Sequence, residues 1–281
     1  MVTVLLHGLG ADRRQPLELF GPIVEPASET ASREPSGVVV APDVRAHGAS
    51  PLVGEPAQFA LDSLAAEVAA SVLTELASVA RTERLGGTEQ LGDTEQLSPV
   101  TLIGISMGAA IALRIAILDL LPVRRAVFVR PAFTDAPLPA NLRAFPVIAE
   151  LLTKLGPVEG AATFRESSLY HQTAAESPLG GRGLLSQFSA PDAAARAIRL
   201  AEIPRNRAYR DASSLSALAA RGVPSLVVAA PRDPVHPETV AAEWAAGLGS
   251  ALQRVPARDD GQPAQTDALR AVVSKWLAST A

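Results

Sequence analysis

Residues 102–110 read LIGISMGAA: an apolar run, then Gly104-Ile105-Ser106-Met107-Gly108, then small residues. The apolar segment 100–105 has the length of a strand, and 107–119 fits a helix, so Ser106 falls where a strand turns into a helix. Such a turn holds its central residue in a strained backbone conformation. Flanking glycines let neighbouring segments approach where a Cβ would clash. The hydroxyl then projects above the sheet, beside the Met107 amide at a helix N-terminus, where negative charge is stabilised. The plain alternative is a Gly/Ser turn in an ordinary strand–helix unit; the flanking elements favour a nucleophile elbow.

Working outward, short apolar runs recur at 2–6, 37–41, 125–130, 224–230 and 251–255. Most are apolar throughout rather than alternating, as expected of parallel strands covered on both faces. Between them lie helical patterns. The best covers 58–80, with Leu61, Leu64, Val68, Val72, Leu76 and Val79 at helical spacing; others fit 107–119, 238–247 and 264–279. The alternation predicts an α/β fold with a doubly wound, mostly parallel sheet of about six strands. Residues 134–215 carry helical segments, such as 141–155 and 191–201, but no convincing strand. They read as a helical cap inserted into a core made of 1–133 and 216–281. Residues 85–97 hold LGGTEQ followed by LGDTEQ, two copies too few for a repeat fold, and read as a flexible loop within the core.

The chain has 281 residues, 48% of them hydrophobic and 19% charged, enough for one large domain with a sizeable core. Its net charge of −4 comes from interspersed charges, with no basic patch for nucleic acid and no apolar stretch long enough for a membrane span or signal peptide. A cytoplasmic protein is expected. Cysteine is absent, which excludes disulfides, thiolate catalysis and zinc–sulfur sites. No metal and no cofactor is implied, and nothing indicates the oligomeric state.

Four segments together resemble the α/β-hydrolase superfamily: His7-Gly8-Leu9-Gly10 after the first strand, PDVRAHGAS at 42–50, the Gly-x-Ser-x-Gly elbow, and APRDPVHP at 230–237. They occur in that family's order, and the cap falls where the family commonly inserts one. The resemblance implies Ser106 as nucleophile, an oxyanion hole from the Leu9 and Met107 amides, and Asp233 as the triad acid. Asp43, Arg45 and His47 would hold loop structure. His7 is a candidate pocket contact, although structural hydrogen bonding is the favoured reading for it and for His47.

One element of the pattern is missing. The family's base is a histidine in the loop after the last strand, and that loop here, RVPARDDGQPAQ at 254–265, has none. A serine hydroxyl is a poor nucleophile without a base to take its proton and return it to the leaving group. His236, three residues beyond Asp233, can replace it only if its loop folds inward across two strands; lining or capping the pocket is the preferred reading. His171 of the cap, next to Tyr170, is a candidate to hang over the site. Asp259 or Asp260 stands in the vacant loop itself. The largest weight falls on there being no efficient base at all. Asp135 is a secondary candidate for the acid. The family also usually has an antiparallel strand pair before the His-Gly strand, so either a trimmed sheet or a misassigned start is expected.

Two functions therefore compete. One is a serine hydrolase acting on a small ester, lactone, thioester or amide through Ser106 with a noncanonical or weak base. The other is a non-hydrolytic member, a small-molecule binder, lyase or cyclase, that uses the oxyanion hole and capped pocket. Dinucleotide binding is disfavoured, because Arg13 stands where a third small residue would be needed after Gly8 and Gly10. Cap residues such as Leu142, Phe145, Leu184 and Phe188 suggest a small-molecule substrate with an apolar moiety.

Overall fold

The computed structural model describes residues 2–24, 37–85 and 98–280. Six strands form one sheet: β1 (Val2–Leu6), β2 (Val38–Val40), β3 (Val100–Ile105), β4 (Val123–Val129), β5 (Ser225–Ala229) and β6 (Ala251–Arg254). Their order is β2-β1-β3-β4-β5-β6, and every neighbouring pair is parallel. The expected doubly wound α/β sheet is the one that forms, and it is parallel throughout the described residues.

The uniformly apolar strands are explained by the two faces. Val4, Leu6, Leu102, Phe128 and Val227 point into one core. It is covered by α2 (Leu61–Leu85), α3 (Met107–Ile117), α8 (Ala212–Ala220) and α9 (Glu238–Leu248). The alternate residues Leu5, Ile103, Val127, Leu226 and Val228 pack with Phe20 of α1 (Arg14–Val24) and Leu269 and Val273 of α10 (Gln262–Ser279). Burial on both sides removes the polar positions that would otherwise alternate along each strand. Helix α1 was not predicted: RQPLELFGPIV carries Pro22 inside the helix and Gly21 before it, both poor helix formers. Tertiary contact compensates, since Arg270 of α10 donates to the Glu18 and Leu19 carbonyls.

Between β4 and β5 run α4 (Ala144–Arg165), α5 (Ser168–Glu176), α6 (Pro178–Ser189) and α7 (Ile198–Glu202). Helix α4 is bent at Gly156, whose φ of 74° is outside helical space, so its first arm coincides with the segment predicted at 141–155. Helix α8 begins inside the range assigned to the cap yet packs on α3 and α9 of the core. The tandem repeat at 85–97 lies, beyond Leu85, outside the described residues. Among those residues no helix is long and apolar enough to cross a membrane.

Strand β3 passes into α3 through Ser106 alone, with φ 53° and ψ −109°. That conformation is costly for a residue with a side chain and persists because its surroundings dictate it. The Ser106 amide donates to the Val129 carbonyl at the end of β4 (2.9 Å). A Cβ on Gly104 would overlap the Gly108 carbonyl, and one on Gly108 would overlap the carbonyls of Leu6 and His7. The two glycines thus allow strand, turn and the end of β1 to touch through backbone alone. Gly104→Ala and Gly108→Ala are each expected to lower stability by at least about 2 kcal/mol in urea unfolding. Losses under about 0.5 kcal/mol would show that the elbow can open without strain.

Candidate active site

All the loops that matter leave the carboxyl ends of strands, the edge where open α/β sheets bind ligands. They surround a cavity of about 240 Å³. Gly8, Leu9, Gly10 and Ala11 reach it from β1, Ser106 from β3, Arg130 and Phe133 from β4, Asp233, Val235 and His236 from β5, and Arg258 from β6. Leu142 and Phe145, with Leu184 and Gln187 of α6, close it from the inserted helices. The Gln15 side chain fixes the β1 loop by accepting from the Gly8 amide (2.8 Å).

Within this cavity three predicted residues meet. The Ser106 hydroxyl lies 2.9 Å from Nε2 of His236. The other ring nitrogen of His236, Nδ1, donates to Asp233 Oδ2, also at 2.9 Å. These partners assign the tautomer: Nδ1 carries the proton, and Nε2 offers its lone pair to the serine. His236 therefore stands within hydrogen-bond reach of the serine, a placement ranked below pocket lining from the sequence, because its loop does fold inward. The segment Asp233-Pro234-Val235-His236 is a tight turn in which the His236 amide bonds both the Asp233 carbonyl (3.1 Å) and Oδ1 of its carboxylate (3.2 Å). Asn141, which the sequence did not single out, ties the turn down: its Nδ2 donates to the carbonyls of Val235 (2.8 Å) and Ala132 (2.9 Å). No local pattern marks Asn141, because its partners lie 9 and 94 residues away.

The electrostatics suit this arrangement. Burial pushes the Asp233 carboxyl up, but the His236 imidazole and the Arg130 and Arg258 guanidiniums outweigh it and hold it well below the usual carboxylate range. Arg130 Nη1 makes an ion pair with Asp233 Oδ2 at 3.2 Å. For His236, burial lowers the pKa and the Asp233 carboxylate only partly restores it, so the ring is held below its ordinary value of 6.5.

The other predicted residues lie elsewhere. His7 is fully buried, its Nδ1 donating to the Gly8 carbonyl (2.9 Å) and its Nε2 accepting from the Val44 amide (3.0 Å). It fastens the β1 loop and does not contact the cavity, which corrects its assignment as a pocket residue. Tyr170 packs edge-on against Phe164, with ring centroids 6.0 Å apart, and His171 is exposed; neither lines the cavity over Ser106. Their helix α5 turns them away from it. Asp259 accepts from the Ser177 hydroxyl and the Leu179 amide of the α6 region, and Asp260 pairs with Arg232, so neither aspartate faces the serine. Asp135 is exposed and outside the cavity. Leu9 lines the cavity, and Met107 is the first residue of α3 beside Ser106.

A sheet of this order, a serine elbow after its third strand and a histidine and an aspartate after its fifth, hydrogen-bonded in line with that serine, point to a class. The model of the alpha/beta hydrolase family matches residues 3–273, and the chain belongs to that family. Solved structures agree in fold. MenH from S. aureus superposes with a TM-score of 0.65 at 16% identity, covering 100% of this chain and 94% of that one. Rv0554 from Mycobacterium tuberculosis gives 0.64 at 18% identity, with 99% and 90% covered. A thermophilic esterase from Thermogutta terrifontis gives 0.59 at 19% identity, with 100% and 90% covered. No curated protein matches the sequence.

His7, His47 and His236 are all held below their ordinary pKa, burial being the largest cause in each. Below pH 6.5 the unfolded chain therefore binds more protons than the folded one. Stability should be full above that pH and fall as pH drops through the folded values. Urea unfolding from pH 7.5 to 5 should show this decline, and His236→Gln should make it shallower without abolishing it. A flat profile in the wild type would contradict the neutral buried state of these rings.

Proposed function

We propose that the protein is a serine hydrolase acting on a small ester, lactone, thioester or amide with an apolar portion. The observation that carries this reading is the unbroken hydrogen-bonded line from Ser106 through His236 to Asp233, with both links at 2.9 Å. His236 takes the Ser106 proton as the hydroxyl oxygen attacks the carbonyl carbon. The Leu9 and Met107 amides receive the negative charge that develops on the carbonyl oxygen. Asp233 keeps the imidazole in its Nδ1–H tautomer and stabilises the cation formed. His236 then protonates the leaving group, and water releases the acyl group from Ser106 by the same steps in reverse.

The base and the acid share one turn after β5, three residues apart, instead of coming from two loops. The line is complete in spite of the histidine-free loop after β6. A lowered His236 pKa keeps the imidazole neutral, and so able to accept a proton, at neutral pH.

A fluorophosphonate probe is expected to label the wild type and not Ser106→Ala; equal labelling of both would remove Ser106 from the chemistry. His236→Gln should slow labelling by about a thousandfold or more. The wild-type labelling rate should fall on the acid side with a midpoint below 6.5. A midpoint well above that value would point to a different base.

A further inference from the structure

Two guanidinium groups and a single carboxylate line the cavity over Ser106: Arg130, Arg258 and Asp233. The carboxylate is fully committed. Its Oδ2 takes the His236 ring and Arg130 Nη1, and its Oδ1 takes the His236 amide. Among the described residues Arg258 has no hydrogen-bonded carboxylate. Its Nε is buried without a hydrogen bond, as is the Nε of Arg130. The carboxylates nearest to it in sequence are engaged elsewhere, Asp259 with Ser177 and Leu179 and Asp260 with Arg232. Gly183 of α6, also on the cavity wall, presents no side chain toward the Arg258 terminal nitrogens, which lie 3.9 Å from where a Cβ would stand.

A partly buried guanidinium without an acceptor is costly, and a second cation beside it adds repulsion. Burial first, and then Arg130, lower the Arg258 pKa from its ordinary value, and the Asp233 and Asp259 carboxylates offset this only in part. A ligand that brings one negative charge would relieve both costs. The rest of the wall is mixed: Leu9, Ile105, Phe133, Leu142, Phe145 and Leu184 give it an apolar part, and Gln15, Ser186 and Gln187 a polar one. A carboxylate suits the guanidinium, which presents paired donors to its two oxygens, and a short chain carrying it can lie on the apolar part of the wall.

We propose that Arg258, with Arg130 behind it, binds a carboxylate carried by the substrate, so that the site takes half-esters and similar monoanions in preference to neutral esters. This rests on the hydrolase reading above. It assigns a specificity role to the loop after β6, the one that lacks the family's histidine.

The test compares kcat/KM within two pairs of similar size that differ in charge: mono-4-nitrophenyl adipate against 4-nitrophenyl heptanoate, and 4-butyryloxybenzoate against its methyl ester. The first pair places the carboxylate on the acyl side, the second on the leaving group. The wild type should prefer the anionic member of at least one pair by about tenfold or more. Arg258→Gln should reduce that ratio about tenfold, chiefly through KM, while Arg258→Lys should retain part of it. No anionic preference in either pair, or a preference that Arg258→Gln leaves intact, overturns the proposal. Fluorophosphonate labelling of the same preparations separates the two levels. Ser106-dependent labelling without the preference overturns the carboxylate site alone, whereas absence of such labelling overturns the hydrolase reading and the proposal with it.

Discussion

The hydrogen bond from Ser106 to His236 joins loops that leave strands two apart in the sheet, β3 and β5. Adjacent strands lie about 4.8 Å apart, so the β5 loop must lean over the end of β4 to close that gap. The surrounding structure is arranged to make it do so. Prolines at 234 and 237 stiffen the turn, the Asp233 carboxylate caps the His236 amide, and Asn141 pins the Val235 carbonyl beside that of Ala132. On the other side, the strained Ser106 backbone is held against Val129 and β1. Each half of the contact is thus held by bonds and packing other than the Ser106–His236 bond itself, as a fixed reacting geometry requires.

Charge is distributed with the same economy. Asp233 sits between an imidazole and a guanidinium, which keeps it ionised in a buried place and so keeps the imidazole oriented. The loop after β6 divides its labour: Arg258 turns toward the cavity, while Asp259 turns outward to tie down the start of α6. A loop that looked depleted by comparison with its family thus contributes both a cation at the cavity and a clasp on the inserted helices.

The strands were legible because burial on both faces leaves long apolar runs, and the elbow because glycines at 104 and 108 have few other reasons to bracket a serine. Helix α1 was not legible, since its prolines and glycine outweigh a modest apolar stripe until α10 packs across it. His171 and Tyr170 looked like site residues because the inserted segment as a whole covers the cavity. Which of its helices faces inward is a matter of packing: α6 lines the cavity and α5 does not. His7 stands next to a functional loop in sequence, yet both its ring nitrogens serve the backbone.

By itself, the sequence determined the sheet, its parallel sense, the serine's place on a sharp turn and the absence of a histidine after β6. Those properties follow from local periodicity, glycine placement and residue identity. Only the tertiary structure decided that His236 reaches Ser106, that Asp233 orients it, and that Arg258 stands at the cavity wall with its Nε lacking an acceptor among the described residues. Those are distances between side chains as much as 130 residues apart. They depend on how far one loop leans and on which hydrogen bonds hold it, and neither is encoded in spacing along the chain.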